Sequence, residues 1–105
     1  MVEEADFLYL TTTGRRSGVA REIEIWFTRR GARYYVIAEH GERAHWVRNL
    51  RAKAAVSVRV GRRRFPGRAR VVDAAAEPRL HAAVRKTSEK KYGWGDGLVI
   101  EIRPA

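Results

Sequence analysis

Residues 21–28 read Arg-Glu-Ile-Glu-Ile-Trp-Phe-Thr, and this alternation indicates the fold class. A period of two places Ile23, Ile25 and Phe27 on one face of a strand and Trp26 on the opposite face, beside two glutamates. The same period returns on both sides of this stretch. The sequence therefore predicts a sheet built from short strands of alternating character.

Turn residues separate these strands at short intervals. We predict strands over residues 6–12, 21–28, 34–39, 56–60, 65–71 and 98–102, and helices over 44–53 and 75–91. Gly14 and Gly18 suit the turn of the first hairpin, and Gly93 suits the end of the second helix. Parallel crossovers are few in this order. Closing six short antiparallel strands into a small barrel is the economical way to remove exposed edges.

Length and composition limit the classes of function. A chain of 105 residues fits one domain, and its formal net charge of +10 favours an anionic partner: nucleic acid, a membrane surface or a small polyanion. The 18 arginines also fit a bias in genome base composition. The lack of cysteine excludes disulfides, thiolate metal sites and cysteine nucleophiles. The acidic start, residues 1–4, and the lack of an apolar run of roughly 20 residues predict a cytoplasmic protein without a membrane span.

The segment from Thr11 to Arg21 carries the strongest chemical signal. Its two glycines would let backbone amides converge as a nest, and its arginines and hydroxyls would donate to phosphate oxygens. The candidate donors and turn residues here are Thr13, Arg15, Arg16, Ser17, Gly18 and Arg21. On composition alone, a solvated hairpin turn explains the segment as well as a phosphate site does.

Two stretches, Thr11-Thr12-Thr13-Gly14-Arg15-Arg16-Ser17-Gly18 and Trp46-Val47-Arg48-Asn49-Leu50-Arg51-Ala52, resemble the deazaflavin-dependent nitroreductase and quinone reductase family. The likeness runs from about residue 8 to residue 72. It implies a split β-barrel related to flavin mononucleotide-binding, pyridoxamine phosphate oxidase-like proteins. The predicted fold is thus mainly β (β+α), a six-stranded antiparallel split β-barrel with two helices, which forms a single cofactor-binding domain over residues 1–105.

The same resemblance implies an activity and a site. Members take a hydride from reduced 8-hydroxy-5-deazaflavin, the factor 420 coenzyme, and pass it to quinones or nitro compounds; flavin mononucleotide is the alternative cofactor. Many split barrels of this size form homodimers. The resemblance places the phosphate at the first hairpin loop and the rest of the cofactor beside Trp46 and Asn49. The predicted cofactor-binding residues are Thr13, Arg15, Arg16, Ser17, Gly18, Arg21, His40, Trp46 and Asn49.

The catalytic residue is left unassigned, because the coenzyme carries the hydride and the protein supplies binding and orientation. His40 is a possible proton donor, since an imidazole can donate a proton near neutral pH. The sequence departs from the family at Glu39, where longer relatives often have a Ser-Lys pair. A glutamate there would repel a phosphate.

Three further interpretations concern other classes of site. His40, His45 and His81 lack a recognised ligand spacing, so we predict no metal site. A single-stranded nucleic-acid-binding barrel would use Trp26, Tyr34 or Tyr35 to stack bases, but its element order omits the last helix and strand, so nucleic acid is the weaker prediction. A split barrel that binds a flavin or another ligand without catalysis is the third alternative. Tyr92 and Trp94 are expected at the barrel mouth.

Overall fold

The computed structural model describes residues 5–105, so the acidic start over residues 1–4 lies outside it. Seven antiparallel strands form one sheet, accompanied by two α-helices and a single 3-10 turn at Gly41–Arg43. The elements are β1 (Phe7–Thr13), β2 (Ala20–Trp26), β3 (Thr28–Arg30), β4 (Arg33–Ala38), α1 (His45–Ala52), β5 (Ala55–Val60), β6 (Arg63–Val72), α2 (Pro78–Tyr92) and β7 (Leu98–Pro104). Neither helix is long and apolar enough to cross a membrane.

The two edge strands of the sheet, β2 and β3, are consecutive in the chain. The strand order runs β2-β1-β5-β6-β7-β4-β3, and only Phe27 separates the end of β2 from the start of β3. The sheet must therefore curl until its edges meet at this residue. Beyond Phe27 the edges separate, and no strand among residues 5–105 is hydrogen-bonded to β2 on the side that faces β4. This is a barrel closed covalently at one point and split elsewhere.

The structure confirms the predicted fold class and both helices, with one difference in the strand count. The predicted strand over 21–28 divides at Phe27, and its end pairs with β4 as a separate three-residue strand. Alternation continues through the break, since Phe27 is buried and Trp26 is exposed. The pattern that predicted the strand therefore contained no signal for its division.

The core has two parts, one on each face of the sheet. Inside the barrel lies the larger cluster, which includes Leu8, Leu10, Val36, Leu50, Val58 and Ile100. Between the outer face and α2 lies the smaller one, formed by Tyr35, Ile37, Val72, Val84 and Val99. Strand β4 contributes to both clusters. In its sequence Tyr34, Val36 and Ala38 alternate with Tyr35 and Ile37, so both faces are apolar, and the double burial explains this pattern.

The last turn of α2 fixes the junction between the two edges. The Tyr92 hydroxyl accepts a hydrogen bond from the Phe27 amide at 3.1 Å and lies 2.8 Å from the Phe27 carbonyl oxygen. Lys91 Nζ donates to the same carbonyl at 3.0 Å and lies 4.2 Å from the centre of the Phe27 ring. Gly93 then ends the helix in the left-handed conformation with φ 75°, as its position predicted. The helix thus holds the backbone where the barrel closes.

A buried carboxylate joins β7 to its neighbours beneath α2. Glu101 is 3% exposed and accepts hydrogen bonds from the Tyr35 hydroxyl at 2.7 Å, Arg70 Nε at 2.9 Å and Arg33 Nη1 at 3.3 Å. Burial opposes ionisation of Glu101, but the hydrogen bonds from Arg70 and Tyr35 outweigh it and lower the pKa of this carboxyl. Burial and the bond to Glu101 raise the pKa of Tyr35 to about 12.

Replacement of Tyr35 by phenylalanine is expected to change how stability depends on alkaline pH. The raised pKa means that the phenol stabilises the fold fully below its ordinary value of 10.0, and that this contribution is lost as the pH rises to about 12. Below pH 10 the Tyr35→Phe variant should be less stable by roughly 1 kcal/mol, the usual worth of one hydrogen bond. Urea unfolding of both proteins from pH 8 upward measures the gap. A gap that stays constant through pH 12 would contradict the assignment.

Candidate functional site

A cavity of about 660 Å³ occupies the split between the two edges of the sheet. One wall comes from the end of β2, and the other comes from the end of β4 and the turn that follows it. Trp46 of α1 and Trp94, which follows α2, complete the lining. The described lining residues are Phe7, Ile23, Glu24, Ile25, Trp26, Ile37, Ala38, Glu39, His40, Ala44, Trp46 and Trp94.

Aromatic rings dominate the walls of this cavity. All three tryptophans of the chain line it. The Trp26 ring stacks on Tyr92 with centroids 4.5 Å apart, and Trp94 meets Trp26 edge to face at 6.4 Å. Ser88 donates to the Trp94 carbonyl oxygen at 2.6 Å, which fixes the segment after α2. Rings held in this way offer flat apolar surfaces to a planar ligand.

The first hairpin loop is tied to α1 through a single side chain. The side-chain oxygen of Asn49, Oδ1, accepts two hydrogen bonds from Arg15, one from the backbone amide at 3.1 Å and one from Nη1 at 2.9 Å. Asn49 is buried, at 5% exposure. Its side-chain oxygen is therefore committed to Arg15, and Asn49 positions that guanidinium. The sequence prediction of Asn49 as a cofactor neighbour did not anticipate this contact.

The predicted nest of converging amides is not formed as expected, because most loop amides have partners within the protein. The Gly14 amide donates to Val19 O at 2.8 Å, the Gly18 amide to Gly14 O at 2.8 Å, and the Val19 amide to Ser17 Oγ at 3.1 Å. These bonds close the hairpin itself. The anion-binding capacity of the loop therefore comes from its side chains, since Arg16 and Arg21 are exposed and Arg15 is partly exposed.

The structure divides the predicted site residues between two adjoining regions. His40 and Trp46 line the cavity. Asn49 lies one helical turn beyond Trp46 on α1 and holds Arg15, so the helix connects the cavity to the loop. The loop itself contributes Arg16, Ser17 and Gly18, while Thr13 and Arg21 lie on the two strands that it joins.

Sequence reasoning missed much of the cavity wall. Phe7, Ile23, Glu24 and Ala38 line it although none of them is among the predicted site residues. Their positions at strand ends become meaningful only when the strand order is known. Trp94, expected at the barrel mouth, does lie at the cavity. The sequence signal that could have found the cavity is that all three tryptophans lie at or next to an end of a strand or helix.

Two of the three residues predicted to stack bases in the nucleic-acid alternative are buried in this structure. Tyr34 and Tyr35, predicted as possible stacking residues on the strands, are only 2% and 3% exposed. Tyr34 belongs to the inner cluster and Tyr35 to the cluster beneath α2. Trp26 stacks on Tyr92 and is, of the three, the residue that stays exposed.

Comparison with known proteins identifies a family for this sequence. The sequence model of the family described as F420H(2)-dependent quinone reductase matches residues 1–99. No curated protein is similar enough in sequence to count as a match.

Among solved structures, an F420-H2 dependent reductase has a TM-score of 0.74 at 21% identity, with 97% of this chain and 96% of that chain covered. HutZ, a heme storage protein from Vibrio cholerae, has a TM-score of 0.78 at 18% identity, with coverage of 95% and 82%. A FAD-binding protein from Mesorhizobium loti has a TM-score of 0.72 at 17% identity, with coverage of 96% and 82%. At these identities the likeness establishes the split-barrel fold alone.

Proposed function

We propose that this chain, which belongs to the F420H2-dependent quinone reductase family, transfers a hydride from its reduced deazaflavin coenzyme to a quinone, a nitro compound or a similar small acceptor. The family is one of oxidoreductases, which agrees with the enzyme class and the coenzyme predicted from the sequence. The observation that carries the proposal is the aromatic cavity beside an arginine-rich loop, joined by α1.

The residues present fit such a coenzyme at both ends. Arg15, Arg16 and Ser17 supply guanidinium and hydroxyl donors suited to phosphate oxygens. The cavity offers the flat apolar walls of Trp26, Trp46 and Trp94, which suit a tricyclic ring. We propose that the phosphate is held at the loop and the ring system in the cavity.

The coenzyme, when bound, supplies the hydride chemistry. The task of the protein is then to orient two planar molecules against each other and to exclude water from the space between them. The tryptophan rings and Ile23, Ile25 and Ile37 can do this in the cavity. His40 lies in the same wall, and we propose it as the donor of the proton that the reduced acceptor needs.

We also propose that the protein forms a homodimer through the β2 edge. Strand β2 is an edge of the sheet, with no described strand on its outer side. The exposed large apolar residues Phe7, Val19 and Trp26 lie on or beside it, at 37%, 52% and 48% exposure. A second copy placed here would cover the open side of the cavity. Analytical ultracentrifugation at micromolar concentration tests this, and a monomer throughout would contradict it.

An anaerobic titration tests the proposed function. Purified protein would receive the reduced and oxidised deazaflavin coenzyme, flavin mononucleotide or a short single-stranded oligonucleotide, with tryptophan fluorescence as the readout. We expect saturable quenching by the deazaflavin, and oxidation of the reduced coenzyme when 2-methyl-1,4-naphthoquinone is then added. If only flavin mononucleotide binds, the cofactor of the site is a flavin and not the deazaflavin. Binding of the oligonucleotide alone would remove the reductase assignment.

A further inference from the structure

The cavity has an acidic character that contrasts with the rest of the protein. Its titratable lining residues are Glu24, Glu39 and His40, and no arginine or lysine of the described residues lines it. The whole chain has 22 basic and 12 acidic residues. A cavity lined by two carboxylates and by no described arginine or lysine therefore differs sharply from the average surface.

Neither carboxylate is neutralised by an ion pair with a described residue. Glu24 accepts a hydrogen bond from the Tyr9 hydroxyl at 3.0 Å, which orients its carboxylate. On that side, the Arg59 guanidinium lies over the Tyr9 ring at 3.9 Å and reaches Glu22 at 3.4 Å. Arg59 is thus balanced by Glu22, and the charge of Glu24 is left to act on the cavity.

The basic groups of the site are kept outside the cavity. Asn49 holds the Arg15 guanidinium on the loop side of α1, whereas Trp46, one turn earlier, lines the cavity. The site thus has a cationic end suited to phosphate and an anionic chamber with aromatic walls. A negatively charged group that enters the chamber meets two carboxylates, and His40 is the one described lining residue that can carry a positive charge.

We propose that Glu24 and Glu39 determine the charge specificity of the acceptor. The chamber takes planar acceptors that are uncharged or cationic, and it rejects those that carry a sulfonate, carboxylate or phosphate on the ring. This inference deepens the proposed function and rests on it, because only a reductase would use the bound molecule as a hydride acceptor. The charge discrimination itself can be measured by binding alone.

The test uses the three tryptophans of the lining as a built-in probe. Quenching by 2-methyl-1,4-naphthoquinone, which is neutral, and by 1,4-naphthoquinone-2-sulfonate would be measured for the wild-type protein and for a variant with Glu24→Gln and Glu39→Gln. The control is Glu89→Gln, which removes one exposed carboxylate from α2, outside the lining. Circular dichroism checks that each variant is folded.

We expect the wild-type protein to bind the neutral quinone more tightly than the sulfonate, by a ratio that falls roughly 10-fold in the double variant and stays unchanged in the control. High salt should narrow the wild-type ratio, because ions screen partly exposed charges. An unchanged ratio in the double variant would overturn the proposal, as would wild-type protein that binds the sulfonate as tightly as the neutral quinone or that binds neither.

The outcome is separable from that of the proposed function. If charge discrimination is observed but the reduced deazaflavin transfers no hydride, the specificity of the chamber stands and the reductase assignment fails. If hydride transfer occurs at equal rates to both quinones and the ratio does not respond to the two glutamates, the reductase assignment stands and this proposal fails.

Discussion

Replacement of both Arg15 and Arg16 by alanine is expected to weaken binding of the reduced deazaflavin coenzyme by about 2 to 4 kcal/mol, or roughly 30-fold to 1000-fold. Each guanidinium can make charged hydrogen bonds to phosphate oxygens, and these bonds are worth about twice as much as neutral ones. Arg15 is already oriented by Asn49, so little of its freedom is lost on binding. Fluorescence titration measures the change in affinity.

The control for this experiment is a second pair of arginines. Arg62 and Arg64 lie on the β5–β6 hairpin, are exposed, and make no ion pair with a described residue. Their replacement by alanine lowers the net charge by the same two units but should leave coenzyme affinity nearly unchanged at 0.15 M salt, because distant exposed charges are screened. Equal losses in both double variants would show that net charge attracts the coenzyme, and that the loop is not its site.

Replacement of Glu101 by alanine should lower the free energy of unfolding by about 2 to 3 kcal/mol, more than the replacement of Tyr35 by phenylalanine. The substitution leaves the buried Tyr35 hydroxyl without its acceptor and removes one of the two carboxylates that hold Arg70. The expected loss is modest for a buried ion pair because Arg33 and Arg70 are about half exposed and can turn to water. Urea unfolding at pH 7 measures the change.

A neutral variant separates the contribution of side-chain shape to stability from the contribution of charge at Glu101. Glu101→Gln keeps the volume and an acceptor for Tyr35 but lacks the charge. Because the folded pKa of Glu101 is lowered, its ionic contribution is present above the ordinary value of 4.5 and is lost as the pH falls through the folded value. The gap between wild type and Glu101→Gln should therefore be widest at neutral pH and shrink in acid. A gap that widens in acid would contradict the network described above.

The alternation and turn residues were sufficient to predict most of the fold. The hairpin of β5 and β6, the helix that ends at Gly93 and the double burial of β4 all follow from patterns within short windows of sequence. The break at Phe27 could not be predicted in this way. Trp26 and Phe27 are both good strand residues, and the break arises from closure of the barrel, which involves residues far apart in the chain.

The site could be predicted only in part, for the same reason. Local composition identified the arginines of the loop, and the family resemblance placed Trp46 nearby. The bond between Arg15 and Asn49 joins residues 34 positions apart and depends on how α1 lies against the loop. The cavity requires the ends of β2 and β4 to face each other across the split, and no pattern within either strand indicates this.

The one-residue junction at Phe27 has a consequence for how the enzyme can diversify. Because Tyr92 and Lys91 hold this residue, the width of the aperture between the two edges is governed by a helix that begins some fifty residues later. Small changes in the last turn of that helix would widen or narrow the aperture while the aromatic walls and the arginines stay as they are. The specificity for acceptor size can then evolve separately from the affinity for the coenzyme.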